Sequence, residues 1–128
     1  MFVAGSALHP RTSSATLTYS GAGCSNANEA ITTDLQLPNG STLEGVRTYY
    51  YDNAAPGRIT IFVTKYDGTG ATSDIIMSSL PDATGYASVL TSPSATEVID
   101  NVNQSYVLTA STGTDVRICG FRVFYSMP

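Results

Sequence analysis

The sequence is poor in charge, has no tryptophan, and holds one histidine and two cysteines. Each shortage removes a class of function. Charged residues are 12% of the 128, about half of the usual quarter. Six basic residues stand against ten acidic ones, for a formal net charge of -4. Five of the six are arginines scattered along the chain, so the sequence shows no basic stripe to neutralise phosphates. Nucleic acid is therefore not an expected partner, and neither is an anionic membrane surface. No segment approaches the ~20 consecutive apolar residues that would cross a bilayer, so no membrane insertion is expected. The opening "MFVAGSALHP" has neither the basic start nor the long apolar run of a signal peptide, and Met1 reads as the start of a mature domain.

Catalytic patterns are equally scarce. A Ser-His-Asp relay would have to use His9, which precedes Pro10 in an irregular segment, and no GxSxG elbow is present. One histidine and two cysteines fall short of an ordinary zinc site. Asp52 and Asp67 lie at opposite ends of a strand, too distant for a glycosidase pair, and most other acids sit in turns where aspartate caps its own backbone. The turns "YDGTGATSD" (66–74) and "DNVN" (100–103) are rich in oxygen, but neither has the spacing of a known calcium loop. The glycines of "GTG" and "GAG" open no helix, so phosphate cradling has no support. Asn39 and Asn103 begin N-glycosylation triplets, a frequent chance pattern. The expectation is no catalytic residue, no metal and no cofactor.

What fills the space is hydroxyl: 15 serines and 17 threonines, a composition common in extracellular β-proteins. No window has the 3.6-residue period of an amphipathic helix. Short β-rich runs recur instead at 14–19, 30–37, 42–51, 58–66, 73–78, 86–91, 95–99, 105–110 and 116–125, separated by Pro38-Asn39-Gly40, Ala55-Pro56-Gly57, Asp67-Gly68-Thr69-Gly70, Pro81-Asp82 and Thr112-Gly113. About nine short strands without room for crossover helices pair antiparallel. This predicts an all-β fold, an antiparallel two-sheet β-sandwich of jelly-roll type, with a closed barrel as the alternative. The chain is the size of one domain, spanning 14–128, and residues 1–13 form an irregular segment running along the surface or onto a neighbouring subunit.

Alternation assigns the faces of the tyrosine run. Val46, Thr48 and Tyr50 point one way, into the core, and Arg47, Tyr49 and Tyr51 the other. In the next run Ile59, Ile61 and Val63 face the core, opposite Thr60, Phe62, Thr64 and Tyr66. A hairpin across 52–57 would then gather Tyr49, Tyr51, Phe62 and Tyr66 on one outer face, with Asp52 and Asn53 as polar neighbours. A covering loop or N-terminal segment, a subunit interface or a sugar-stacking surface would each explain such a face. In the last run Cys119, Phe121, Val123 and Tyr125 share one face and Ile118, Gly120, Arg122 and Phe124 the other. Cys24 and Cys119 would close a loop of roughly 100 residues. The alternative is two unpaired small core residues; the hydroxyl-rich composition favours the disulfide.

The order "LPNGSTLEGVRTYYYDN" (37–53), "VTKYDGTG" (63–70), "VIDNVNQSYVL" (98–108) and "RICGFRVFY" (117–125) resembles a widespread, largely uncharacterised family of secreted bacterial and archaeal β-sandwich domains. "AGSALHPR" (4–11) and the two cysteine positions look like one branch of it, which again favours the disulfide. The resemblance implies a secreted β-sandwich and no catalytic residue. Asn103 departs from the family's usual serine. Taken together, these readings describe a non-enzymatic extracellular building block that self-associates as an oligomer or fibre. The second reading is a carbohydrate-binding module that contacts glycans through Tyr49, Tyr51 and Tyr66, with Asp52 and Asn53 as hydrogen-bonding groups.

Overall fold

The computed structural model describes residues 1–21, 23–53, 59–112 and 116–128. In these, twelve strands form: β1 Phe2–Ala4, β2 His9–Pro10, β3 Leu17–Ser20, β4 Cys24–Ala27, β5 Ile31–Asp34, β6 Thr42–Asn53, β7 Ile59–Tyr66, β8 Thr72–Leu80, β9 Thr84–Thr91, β10 Glu97–Val98, β11 Ser105–Ser111 and β12 Val116–Ser126. One short 3-10 turn, Gly5–Ala7, is the only helical piece among the described residues. All pairings are antiparallel. A seven-stranded sheet runs β10-β6-β12-β4-β3, with β9 also on β6 and β1 also on β12, and a five-stranded sheet runs β2-β5-β11-β7-β8. The fold is thus the expected antiparallel two-sheet β-sandwich.

The core lies between the sheets and is built from the alternating positions that the sequence marks. Val46, Thr48, Tyr50 and Asp52 of β6 point inward, facing Ile59, Ile61 and Val63 of β7 and Leu108 and Ala110 of β11. The expected hairpin between β6 and β7 does not form. The two strands belong to different sheets and face each other across the core. Alternation reports which face of a strand is buried but not which strand lies beside it, and a short connection can bridge the ~10 Å between stacked sheets as readily as it turns a hairpin. The expected turn at Ala55-Pro56-Gly57 lies outside the described residues, as does Gly113.

Two bulges set the faces of the central pair. β12 runs beside β6 from Val116↔Asp52 to Ser126↔Thr42, with one extra residue, Cys119, between Ile118↔Tyr50 and Gly120↔Tyr49. The slip lets Ile118 and Phe121 both point inward, whereas unbroken alternation puts them on opposite faces. A second irregularity leaves Glu44 unpaired and brings Leu43 and Val46 to the core together.

The first residues are not irregular. β1 pairs with β12 in the seven-stranded sheet and β2 with β5 in the five-stranded one, so the N-terminal segment ties the two sheets together. Between them Gly5 sits against the Ile118 carbonyl where no side chain fits, and Ser25 donates a 2.6 Å hydrogen bond to the Gly5 carbonyl. Cys24 and Cys119 form the disulfide, fixing β4 to the bulge of β12. At one end of the core Lys65 of β7 meets both oxygens of Glu97 of β10, at 2.9 and 2.8 Å, and the Tyr106 hydroxyl donates to Glu97 at 3.3 Å. This pair joins the two sheets where apolar packing ends.

Two predictions follow from the core. The disulfide spans 95 residues of chain, for which loop-closure entropy gives ~4 to 5 kcal/mol. Reduction, or the Cys24→Ser/Cys119→Ser pair, is expected to lower the unfolding free energy from urea denaturation by an amount of that order, and an unchanged value would contradict this placement. Tyr50 and Tyr106 are buried, and burial raises both phenols above the ordinary value of 10.0. The Asp52 and Asp82 carboxylates add to the shift at Tyr50; at Tyr106 the Asp100 amide opposes it and Glu97 adds. A raised folded-state value means the fold holds these protons more tightly than the unfolded chain, so their contribution is complete below about pH 10 and is lost as pH rises beyond it. Phenolate absorbance should therefore show two of the eight tyrosines ionising late, with loss of the fold. Reversible titration of all eight near the ordinary value with the fold intact would contradict it.

Candidate functional site

The structure separates the four aromatic residues that the sequence places together. Tyr49 and Tyr51 lie on the outer face of the seven-stranded sheet, and Phe62 and Tyr66 on the outer face of the five-stranded sheet, on the opposite side of the molecule. Asp52 does not accompany them outward. It is 2% exposed, points into the core and accepts a 2.8 Å hydrogen bond from the Ala83 amide through Oδ2, while Oδ1 has no protein partner. Tyr50 is also internal and donates to the Pro81 carbonyl at 2.8 Å. Asn53 is exposed at the end of β6.

What surrounds Tyr49 and Tyr51 comes from strands distant in sequence. Cross-strand register builds three rows across β9, β6, β12 and β1. The first row is Tyr86, Tyr51 and Arg117; the second is Ser88, Tyr49, Gly120 and Ala4; the third is Leu90, Arg47, Arg122 and Phe2. Tyr86 is 78% exposed and Phe2 55%. The rings are in contact: Tyr51 and Tyr86 meet edge-on at 4.9 Å, and Phe2 lies 5.7 Å from Tyr49. The Phe2 ring occupies the place that a side chain at Gly120 would take, with ring atoms 3.0 Å from an ideal Cβ. The Arg117 guanidinium lies 5.5 Å above the Tyr51 ring, and that of Arg122 5.5 Å above Phe2. Arg47 donates to the Ser88 hydroxyl at 3.3 Å. A groove of about 350 Å³ lined by Glu44, Gly45, Arg47, Leu90 and Phe124 continues the face at one end.

The N-terminal segment thus partly covers Tyr49, as one of the sequence readings allows, but it does so with a ring that is itself exposed. The face is extended rather than hidden. It also corrects the impression of scattered arginines, since pairing of β6 with β12 brings Arg47, Arg117 and Arg122 onto one surface. The sequence does not show Tyr86, Phe2 or this clustering, because the signal is a register between strands rather than a pattern within one.

The opposite outer face has different chemistry. Thr32 and Thr109 approach at 3.2 Å, Thr64 donates to Asp74 at 2.6 Å, and the exposed Asp34 lies in the same sheet. Tyr66, 39% exposed, borders a separate depression of about 280 Å³ shared with Asp34, Gln36, Asn101 and Gln104. The two oxygen-rich turns use their carboxylates locally. Asp67 accepts from the Thr69 amide and hydroxyl, and Asp100 from the amides of Val102 and Asn103 and the Asn103 side chain. Those hydrogen bonds hold both carboxyls below the ordinary range, the Thr69 hydroxyl contributing most at Asp67 and the Asn103 side chain at Asp100. His9 is exposed on β2, and among the described residues no group of three or more His, Cys, Asp or Glu is placed to hold a metal ion.

No family model and no curated protein matches the chain. Among solved structures it is similar to a GH26-CBM35 β-(1,4)-mannanase of Podospora anserina, with a TM-score of 0.58, 13% identity, and coverage of 100% of this chain and 28% of that one. Fainter likenesses are to TmCBM61 in complex with β-1,4-galactotriose, at TM-score 0.49 and 10% identity over 93% of this chain and 87% of that one, and to a CBM4 structure at 0.43 and 11% over 98% and 93%. At these identities the likeness to the mannanase is one of fold, and this chain spans little more than a quarter of that enzyme's length.

Proposed function

We propose that the protein is a non-catalytic, extracellular carbohydrate-binding domain of the secreted β-sandwich family that its motifs resemble, and that glycans dock on the outer face of its seven-stranded sheet. The observation that carries this reading is the cluster of rings on that face, exposed Tyr86 in contact with half-buried Tyr51 and exposed Phe2 against half-buried Tyr49. Flat rings on a rigid sheet offer apolar surface to the faces of sugar rings, and the phenol hydroxyls and arginines beside them offer hydrogen bonds to sugar hydroxyls. A fold shared with a polysaccharide-degrading enzyme carrying a carbohydrate-binding module agrees with this use. The disulfide and the low charge suit an oxidising, extracellular setting.

Self-assembly through the tyrosine face, the first expectation from the sequence, has less support. Two copies packed face to face would set Arg47, Arg117 and Arg122 of one against those of the other, and like charges brought together in an interface oppose association.

Affinity electrophoresis against a panel of soluble polysaccharides tests the reading. At least one is expected to retard the protein, and Tyr51→Ala and Tyr86→Ala are each expected to weaken binding about tenfold, equivalent to ~1.4 kcal/mol. Met77→Ala, on the other sheet and 68% exposed, should bind as the parent does. No retardation by any glycan, or equal binding by the tyrosine variants, would contradict the proposal.

A further inference from the structure

Among the described residues, the arginines of the proposed glycan face have no ion-pair partner. Arg47 and Arg122 stand directly opposite each other in the β6–β12 pair, and Arg117 lies on the same face beside Tyr51. Like charges directly opposite on neighbouring strands disfavour the pairing, and opposite charges are the usual solution. Here no carboxylate supplies it. Among the described residues the one ion pair is Lys65 with Glu97, which links the sheets at the end of the core. Glu44 lines the groove beside Arg47 and Arg122 but pairs with neither within 4 Å. A chain with ten acids and six bases has placed three of its five arginines on one face, and among the described residues none of the three has a carboxylate partner.

Resting on the carbohydrate-binding reading, we propose that this face takes an anionic polysaccharide, its repeating carboxylates or sulfates held by Arg47, Arg117 and Arg122 while sugar rings lie on Tyr51, Tyr86 and Phe2. The guanidinium fork matches carboxylate and sulfate geometry, and a guanidinium stacked on a ring keeps its edge free to donate. Tyr51 and Arg47 are four residues apart on one strand, about 13 Å, so the charges at the two ends of the patch suit successive units of an extended polymer rather than one small ion. The other outer face presents Asp34 and Asp74 and would repel the same ligand.

The test is titration of the full chain by calorimetry with four probes: polygalacturonate, dextran sulfate, neutral galactomannan and a single-stranded DNA oligonucleotide. The proposal expects one or both acidic glycans to bind at least tenfold more tightly than galactomannan, with affinity falling as salt rises. The tighter of the two identifies the carboxylate or the sulfate as the recognised group. The Arg47→Gln/Arg117→Gln/Arg122→Gln variant should lose at least tenfold toward the acidic glycan, with Met77→Ala unchanged. If the triple variant fails to fold by circular dichroism, the single Arg117→Gln, at the exposed end of the first row, is expected to lose about threefold. Galactomannan binding that depends on Tyr51 but not on the arginines would overturn the anionic inference and leave the carbohydrate reading intact. Binding of no glycan would overturn both. DNA binding as tight as that of the acidic glycans would overturn the inference in favour of a general polyanion surface.

Discussion

The antiparallel pairing of β6 with β12 is the constraint on which the rest depends. Ten register pairs, from Val116↔Asp52 to Ser126↔Thr42, make these two long strands the spine of the seven-stranded sheet. Strands β9 and β10 attach to the free edge of β6, and β1 and β4 to that of β12. The bulge at Cys119 does three things at once. It turns both Ile118 and Phe121 into the core, it places the sulfur within reach of Cys24, and it shifts the phase of β12 so that Gly120 and Arg122 come out beside Tyr49 and Arg47. The core, the covalent tie and the outer face therefore follow from one register.

That register also gives the molecule two dissimilar sides. Inward positions of both sheets are mostly apolar, as a sandwich core requires, with Ser25, Thr48 and Asp52 as buried polar exceptions. Outward positions are free to differ, and they do: three arginines beside clustered aromatic rings on the seven-stranded sheet, and threonine, serine and aspartate around Phe62, Tyr66 and Met77 on the five-stranded one. Threonine suits an exposed strand because its branched side chain fits the pleat while its hydroxyl remains solvated or bonds to a neighbour, as Thr32 does with Thr109. Rings and guanidinium groups left exposed have no such structural explanation. A two-layer scaffold that fixes the backbone beneath them and sets ring against ring would lower the ordering cost of the proposed ligand's binding.

Much of the fold was legible from composition and alternation alone. The β-sandwich, the inward path of Val46, Thr48 and Tyr50, the facing aliphatic run Ile59, Ile61 and Val63, and the Cys24–Cys119 link could be read from local periodicity, punctuation and residue type. Strand partners could not. β6 and β7 are adjacent in sequence, yet β6 pairs with β9, β10 and β12 and β7 with β8 and β11, so Phe62 and Tyr66 lie on the far side of the molecule from Tyr49. Asp52 is not the polar neighbour of the outer rings because β6 continues through it, carrying its carboxylate inward by the same alternation that carries Tyr50. The short β1 and β4 do not stand out in the sequence because "FVA" and "CSNA" carry too little β-character; they form against the open edge of β12. The candidate face is half legible, with Tyr49 and Tyr51 visible in the sequence and Phe2, Tyr86 and the arginines supplied by register.

The central claim is that the outer face of the seven-stranded sheet is the binding surface and the opposite face is not. Amide chemical shifts of isotope-labelled protein, followed during titration with a glycan that binds, test it directly. The largest changes should fall on Arg47–Tyr51, Tyr86–Leu90 and Arg117–Arg122, with the Thr64 and Thr109 amides still. Changes centred instead on the depression beside Tyr66, at Asp34, Gln36, Asn101 and Gln104, would place the site elsewhere and contradict the account.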